Sequence, residues 1–139
     1  MRILTDDNQE PSCQPTRQNI IKGFKWLLCG AKAGDTLFLH FSGHGGQTPD
    51  REFSERDGMN ETICPVDYHK NGEIVDNEMN ALLVQALPQG VRLTVIFDSC
   101  HSGSALDLPY MHDVDGKVRR EHDGHCQKDV VMFASRYGQ

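Results

Sequence analysis

The stretch Val91-Arg92-Leu93-Thr94-Val95-Ile96-Phe97-Asp98-Ser99-Cys100 decides the fold. Its first seven residues are nearly all apolar and rich in β-branched types. That is the pattern of a strand inside a parallel sheet with both faces covered, not of a strand with one wet face. Upstream, Thr36 to Phe41 is a second run of strand composition and length, introduced by Gly34-Asp35. Ile20, Ile21, Phe24, Leu27 and Leu28 recur at helical spacing between a capping Thr16 and a terminating Gly30. A second helix is expected from about Asn77 to Leu87, with Met79, Leu82, Leu83 and Leu87 on one face and Pro88 and Gly90 ending it. Val130 to Ala134 reads as a last short strand. Strands alternating with helices predict an α/β sheet with right-handed crossovers, and in such sheets ligands bind beyond the carboxyl ends of the strands.

Two sequence stretches fall at those ends: Phe41-Ser42-Gly43-His44-Gly45-Gly46 after one strand and Phe97-Asp98-Ser99-Cys100-His101-Ser102-Gly103 after the next. A thiol becomes a strong nucleophile once deprotonated, and an imidazole can take that proton and hand it to a leaving amine. The glycines flanking His44 let the backbone approach a substrate, and the amides of Gly45 and Cys100 are candidate donors to an oxyanion. Taken singly, a Cys at a strand end is more often a small buried hydrophobe and a His in a Gly-rich loop is usually solvated. Their joint placement at two strand ends favours chemistry.

The bulk composition narrows the alternatives. The 139 residues suit one domain spanning 1–139, with 37% hydrophobic and 24% charged residues. A formal charge of −6 without a basic patch argues against a nucleic-acid partner. No apolar run approaches the roughly 20 residues of a membrane span, so no membrane association is expected and the reading is cytosolic or nuclear. Five cysteines at irregular spacing, without a CxxC pair, indicate neither a disulfide framework nor a structural zinc site. Cys13, Cys29 and Cys64 read as packing or surface residues. Residues 43 to 72, rich in Gly and acids, read as one long functional loop, and 103–129 as a flexible linker. Within that linker His122, His125 and Cys126 lack a matching second ligand pair. Lys117, Arg119 and Arg120 read as a solvated basic cluster, with self-processing as the alternative.

At this level of detail the chain resembles the metacaspases. The likeness runs from Leu4-Thr5-Asp6-Asp7 through Gly34-Asp35-Thr36-Leu37-Phe38 and the His44 motif to Ser104-Ala105-Leu106-Asp107-Leu108-Pro109-Tyr110. His44 precedes Cys100 by roughly the 50 residues that separate such pairs in caspase-like peptidases. The resemblance implies a caspase-like three-layer α/β/α fold with a mostly parallel sheet. It further implies a cysteine endopeptidase that cleaves after Arg or Lys, linked to proteolysis and programmed cell death. Within it Ser42 and Asp98 fall on the primary specificity pocket, where a buried carboxylate would pair with a substrate guanidinium. It also implies calcium dependence, with ligands at Asp76, Asn77, Asp107 and Asn60, and no organic cofactor. Asn60 and Asn77 stand where the family usually carries Asp, so affinity should be weakened. Asp76 and Asn77 would otherwise read as the cap of the second helix.

The chain departs from the family at both ends. Metacaspases open with a strand and helix that precede the Leu4-Thr5-Asp6-Asp7 stretch and supply a Cys-x-x-Asp element to the pocket. They continue past Val130 into a small-subunit region, of which 130–139 would be only the start. The sheet is therefore expected to be incomplete. A non-catalytic caspase-like module that binds a partner or a full-length paralogue is the competing functional reading.

Overall fold

A computed structural model describes residues 1–49, 58–100, 105, 106, 108, 110–112, 118–120 and 128–134. The predicted first helix is α1, Arg17–Leu28. The Thr16 side chain caps it by accepting the Asn19 N–H, and Gly30, at φ +77°, turns the chain away after it. Ile20 and Phe24, one turn apart, are its buried face. The strands follow as β1 (Thr36–Ser42), β2 (Gly45–Pro49), β3 (Met59–Ile63) and, after the short helix α2 (Tyr68–Asn71), β4 (Ile74–Val75). The second helix opens as α3 (Asp76–Met79) and runs on as a π-helical segment, Asn80–Gln85. Then come β5 (Arg92–Asp98), β6 (Tyr110–His112), β7 (Val118–Arg120) and β8 (Asp129–Ala134).

The principal sheet is parallel, in the order β1-β5-β8, with Leu39, Val95 and Met132 in one cross-strand row. The α/β reading with a parallel sheet therefore holds. Alternation along the strands splits this sheet into two unlike faces. On one, Leu93, Val95 and Phe97 are fully buried in a core shared with Ile20, Phe24, Leu83, Val84 and Leu87, and Leu37, Leu39 and Phe41 pack against it. Each fully buried side chain of this kind is worth about 1.5–3 kcal/mol over leaving it in water. On the other face, Phe38, Val131 and Phe133 are 59%, 43% and 57% exposed. Among the described residues no helix covers that face, and α1 and the π-helical segment lie on the other. Val91 to Phe97 looked doubly covered because the run is mostly apolar, but one parity, Leu93, Val95 and Phe97, is wholly apolar while the other carries Arg92, Thr94 and Ile96. Only one parity is buried.

Two expectations about loops change. Within 43 to 72 the described residues Gly45–Pro49 and Met59–Ile63 are strands, and with β4 they form an antiparallel sheet, β2-β3-β4, pairing Gly45 with Ile63 and Ile63 with Ile74. Its strands are short and carry Gly, Gln, Asn, Glu and Thr, so no apolar periodicity announces them. Residues 103–129 are not a plain linker: Ala105 and Leu106 are buried in the core, and β6 pairs antiparallel with β7. No helix among the described residues is long and apolar enough to cross a membrane.

Candidate active site

β1 and β5 end together, with Ser42 and Asp98 as register partners, so the two motif-bearing turns leave the sheet side by side. The turn after β1 is then held on both flanks. The Gly43 N–H donates to the Asp98 carbonyl at 3.3 Å, and the His44 carbonyl accepts from the Cys64 N–H at 2.9 Å. Between these anchors Gly45 is pressed against Cys100. A Cβ built on Gly45 would lie 2.0 Å from the Cys100 carbonyl oxygen and 3.3 Å from Ser99 Oγ. Glycine is thus required here by contact with a neighbouring backbone, and that contact brings the His44 turn onto the Cys100 turn. His44 and Cys100 are both exposed, as a pair open to a macromolecular substrate must be.

Gly45 also has its amide free of the sheet ladder. Since Cys64 donates to His44, the His44–Cys64 pair is the hydrogen-bonded type, and Gly45–Ile63 is the non-hydrogen-bonded type that follows it. The Gly45 N–H accordingly points away from β3, where an oxyanion could meet it.

Ser42 and Asp98 are brought together, but both are exposed. Their parity places them on the open sheet face, so the buried carboxylate expected for reading a guanidinium is instead a solvated one.

The four residues with an implied calcium role separate in character. Asp76 is fully buried, with Oδ2 accepting the Glu61 N–H at 2.5 Å and Oδ1 accepting the Asn77 N–H at 2.7 Å. It stands just past β4 across from Glu61 and opens α3, with Val75 as the capping residue and no side-chain cap. Asn60 is buried on β3, and its Oδ1 has no hydrogen-bond partner among the described residues. Asp107 lies outside the described residues. Its neighbour Leu106 is fixed, because the Leu106 carbonyl accepts from Asn80 Nδ2 at 2.6 Å, one turn beyond Asp76 and Asn77. Among the described residues no cluster of three or more His, Cys, Asp or Glu forms. His122, His125, Cys126 and Lys117 lie outside the described residues, and Arg119 and Arg120 fall in β7.

Cys64, read as a packing or surface residue, proves to be the anchor of the His44 backbone. Its thiol lies 3.9 Å from Glu73 Oε1, and burial first, then the Glu73 charge and hydrogen bond, push its pKa up. Glu73 and the buried Thr62 hydroxyl also flank Gly46, at 3.7 and 3.1 Å from where a Cβ would sit. The signal for these residues is cross-strand register, which short polar strands do not reveal in sequence. Behind the site, Arg17 joins α1 to α3: Nη2 pairs with Glu78 Oε2 at 2.5 Å, Nε donates to the Glu73 carbonyl, and its backbone N–H donates to Asp67.

Comparison with known proteins agrees with this architecture. A family-level profile described as "Metacaspase, peptidase C14 domain" matches residues 1–109. Metacaspase-1 of Coccidioides immitis is 56% identical over 119 residues, 86% of this chain and 26% of that protein. Metacaspase-1B of Aspergillus terreus is 49% identical over 140 residues, spanning 100% of this chain and 37% of its own length. Among solved structures, protein GSU0716 from Geobacter sulfurreducens superposes with a TM-score of 0.53 at 42% identity, covering 64% of this chain and 32% of that one. The chain thus spans about a quarter to a third of the curated relatives it matches. Over the matched residues, with the parallel sheet and the His44 and Cys100 turns in contact at its carboxyl end, the chain belongs to the metacaspase family of C14 peptidases.

Proposed function

We propose that this chain is a cysteine endopeptidase in which Cys100 attacks the scissile carbonyl and His44 moves the proton. The observation that carries the reading is the enforced contact of Gly45 with Cys100, which sets an imidazole-bearing turn and a thiol-bearing turn against each other at the ends of β1 and β5. The Cys100 thiolate forms the acyl bond, the amine leaves with the proton from His44, and water delivered through His44 hydrolyses the thioester. The amides of Gly45 and Cys100 receive the oxyanion, each such donor being worth about 10²–10³ in rate.

The substrate class is peptide with Arg or Lys before the cleaved bond, read by Ser42 and Asp98. An exposed carboxylate contributes only about 0–1 kcal/mol to an ion pair, so discrimination by Asp98 alone is modest until substrate covers it. Calcium fits the other end of the β3–β4 ladder. The unpartnered Asn60 Oδ1 and the buried Asp76 carboxylate have the oxygen chemistry a hard cation selects, with Asn77 and Asp107 completing the set. Bound there, calcium would supply positive charge beside Asp76 and tie β3 to α3. The cellular setting is cytosol or nucleus, in proteolysis connected with programmed cell death.

The test is hydrolysis of a short Arg-containing fluorogenic peptide with calcium present. Turnover that Cys100→Ala abolishes is expected. Equal turnover in that variant removes Cys100 from its role. The open sheet face favours a second reading, a caspase-like module that binds a full-length paralogue, and a folded chain that never turns over peptide would select it.

A further inference from the structure

The contact with Gly45 accounts for the near end of the Cys100 segment and leaves its far end unexplained. After β5 the chain passes the buried Ser99 and the exposed Cys100, and Ala105 and Leu106 are again fully inside the core. Apolar burial holds Leu106 down without fixing how its backbone is turned, because the hydrophobic effect is non-directional. A hydrogen bond does fix that. The Leu106 carbonyl accepts one from Asn80 Nδ2 at 2.6 Å, a side chain brought from the π-helical segment on another part of the chain.

Asn80 is aimed from both its side chain and its backbone. Its Oδ1 accepts from Gln85 Nε2 at 2.9 Å, so the amide turns its nitrogen, not its oxygen, toward Leu106. Residues five apart lie on different faces of an α-helix, but the segment Asn80–Gln85 is π-helical, and its wider i-to-i+5 turn brings the two side chains together. Turns of this kind are rare and concentrate at functional sites. The Asn80 backbone N–H donates to the carbonyls of Asp76 and Asn77, and the Asp76 carboxylate accepts the Glu61 N–H of β3 at 2.5 Å. The His44 turn is held from the end of the same strand, where the Cys64 N–H donates to the His44 carbonyl at 2.9 Å. Hydrogen bonds therefore lead from β3 to the imidazole-bearing turn in one direction and to the return of the thiol-bearing segment in the other.

We infer that Asn80 is a positioning residue for the Cys100 thiol: with Gln85 setting its amide, it latches the return of the Cys100 segment to the strand that holds the His44 turn. The role rests on Cys100 and His44 being the reacting pair, and it acts through the Leu106 backbone. Without the latch Leu106 stays buried but is free to turn, and the segment keeps only its Gly45 end in register. A displacement of about 1 Å between reacting groups can cost about 10² in rate. A segment released at one end and still held at the other should lose part of that, about tenfold. The loss falls on kcat rather than on KM, since no contact with the peptide is removed.

Three variants of the whole chain test the latch, with circular dichroism to confirm folding. Asn80→Leu removes the donor. Asn80→Asp is nearly isosteric, keeps an acceptor for Gln85 and sets a carboxylate against the Leu106 carbonyl. Gln85→Leu, at an exposed position, leaves the Asn80 amide free to flip. On an Arg-containing fluorogenic peptide with calcium present, kcat should fall about tenfold in both Asn80 variants and about threefold in Gln85→Leu, with KM within about twofold of the parent. The double variant Asn80→Leu/Gln85→Leu should be no worse than Asn80→Leu alone, since the two side chains act as one unit. The readout independent of turnover is amide hydrogen exchange by mass spectrometry: peptides covering 99–108 should exchange faster in all three variants, and those covering β1 as in the parent. Unchanged exchange over 99–108 overturns the latch whether or not the chain turns over peptide. So does a lowered Tm with kcat unchanged, which reduces the bond to ordinary stabilisation, and so does a rise in KM at constant kcat, which places Asn80 in peptide binding. Additive losses in the double variant overturn the part given to Gln85. A parent without turnover whose 99–108 exchange still rises in the variants faults the peptidase reading and leaves the latch standing.

Discussion

Gly45→Ala is the substitution whose cost follows most directly from the structure. Its Cβ would stand 2.0 Å from the Cys100 carbonyl oxygen and 3.1 Å from the carbonyl carbon, and real Cβ contacts essentially never fall under 3.0 Å. One turn must therefore retreat from the other by about 1 Å or more. The first cannot do so cheaply, being tied to Asp98 through the Gly43 N–H and to Cys64 through the His44 carbonyl. A 1 Å misplacement between reacting groups can cost about 10²-fold in rate, or about 2.7 kcal/mol in barrier. The expected result is a fall of about 10² in kcat/KM on an Arg peptide, with near-parent circular dichroism and matching loss in the alkylation rate of Cys100 by a peptide chloromethyl ketone. Gly46→Ala is the control, since its Cβ meets Thr62 Oγ1 at 3.1 Å, a contact relieved by a few tenths of an ångström. Its loss should be far smaller. A folded Gly45→Ala enzyme that keeps kcat/KM within about threefold of the parent would refute the idea that this contact sets the geometry.

Three further outcomes follow from named contacts. Burial alone would raise the Asp67 carboxyl, but hydrogen bonds from the Arg17 backbone, from Asn71 and from its own backbone, with the Arg17 charge, outweigh it and hold the pKa below the ordinary value. That contribution is present above about pH 4 and lost as pH falls through the folded-state pKa, so Asp67→Ala should destabilise at pH 7 and the deficit should shrink as pH falls below the ordinary carboxylate range in urea titrations. Because the Cys64 pKa is raised, its alkylation at about pH 8 should lag that of exposed Cys29, and Glu73→Gln should narrow the gap, as followed by peptide mass spectrometry. If calcium binds beside Asp76, Asn77→Asp and Asn60→Asp should each move the activation midpoint to lower calcium, and overlaying titrations would withdraw the metal.

The helix α1 and the strands β1, β5 and β8 were legible because each carries an apolar pattern that burial rewards locally. Thr16 and Gly30 even marked the helix ends where the chain turns. The motif turns were legible for another reason: topology alone brings the carboxyl ends of adjacent parallel strands together, whatever their composition. What escaped was everything decided by pairing rather than periodicity. β2, β3 and β4 hold together through register, so Cys64 could not be recognised as the clamp on His44, nor Glu73 as its neighbour. The exposure of Asp98 escaped as well, because β5 was weighed as one apolar run, although Asp98 shares its parity with Arg92 and Thr94 and not with the apolar Leu93, Val95 and Phe97.

The β3 strand carries a stability cost that a single isosteric change can measure. Thr62 is 2% exposed, and its hydroxyl has no hydrogen-bond partner among the described residues. A buried hydroxyl left unpaired costs about 1–3 kcal/mol, whereas an apolar group of the same shape costs none of that desolvation. Valine reproduces the branched outline of threonine and is at least as comfortable in a strand. The replaced atom faces Gly46, which has no side chain of its own, with the Glu73 carboxylate beside that glycine's Cβ position. Thr62→Val should therefore stabilise the fold by about 1 kcal/mol, seen as a rise of about 3 °C in Tm. Asn60 Oδ1 likewise has no partner among the described residues, yet Asn60→Leu should lose calcium activation, because that oxygen has a proposed ligand and the Thr62 hydroxyl has none. Opposite responses at two orphaned groups on one strand would separate a cost the fold merely tolerates from one that binding relieves. A Thr62→Val variant destabilised by 1 kcal/mol or more would show that the hydroxyl is hydrogen-bonded in solution and that this division is wrong.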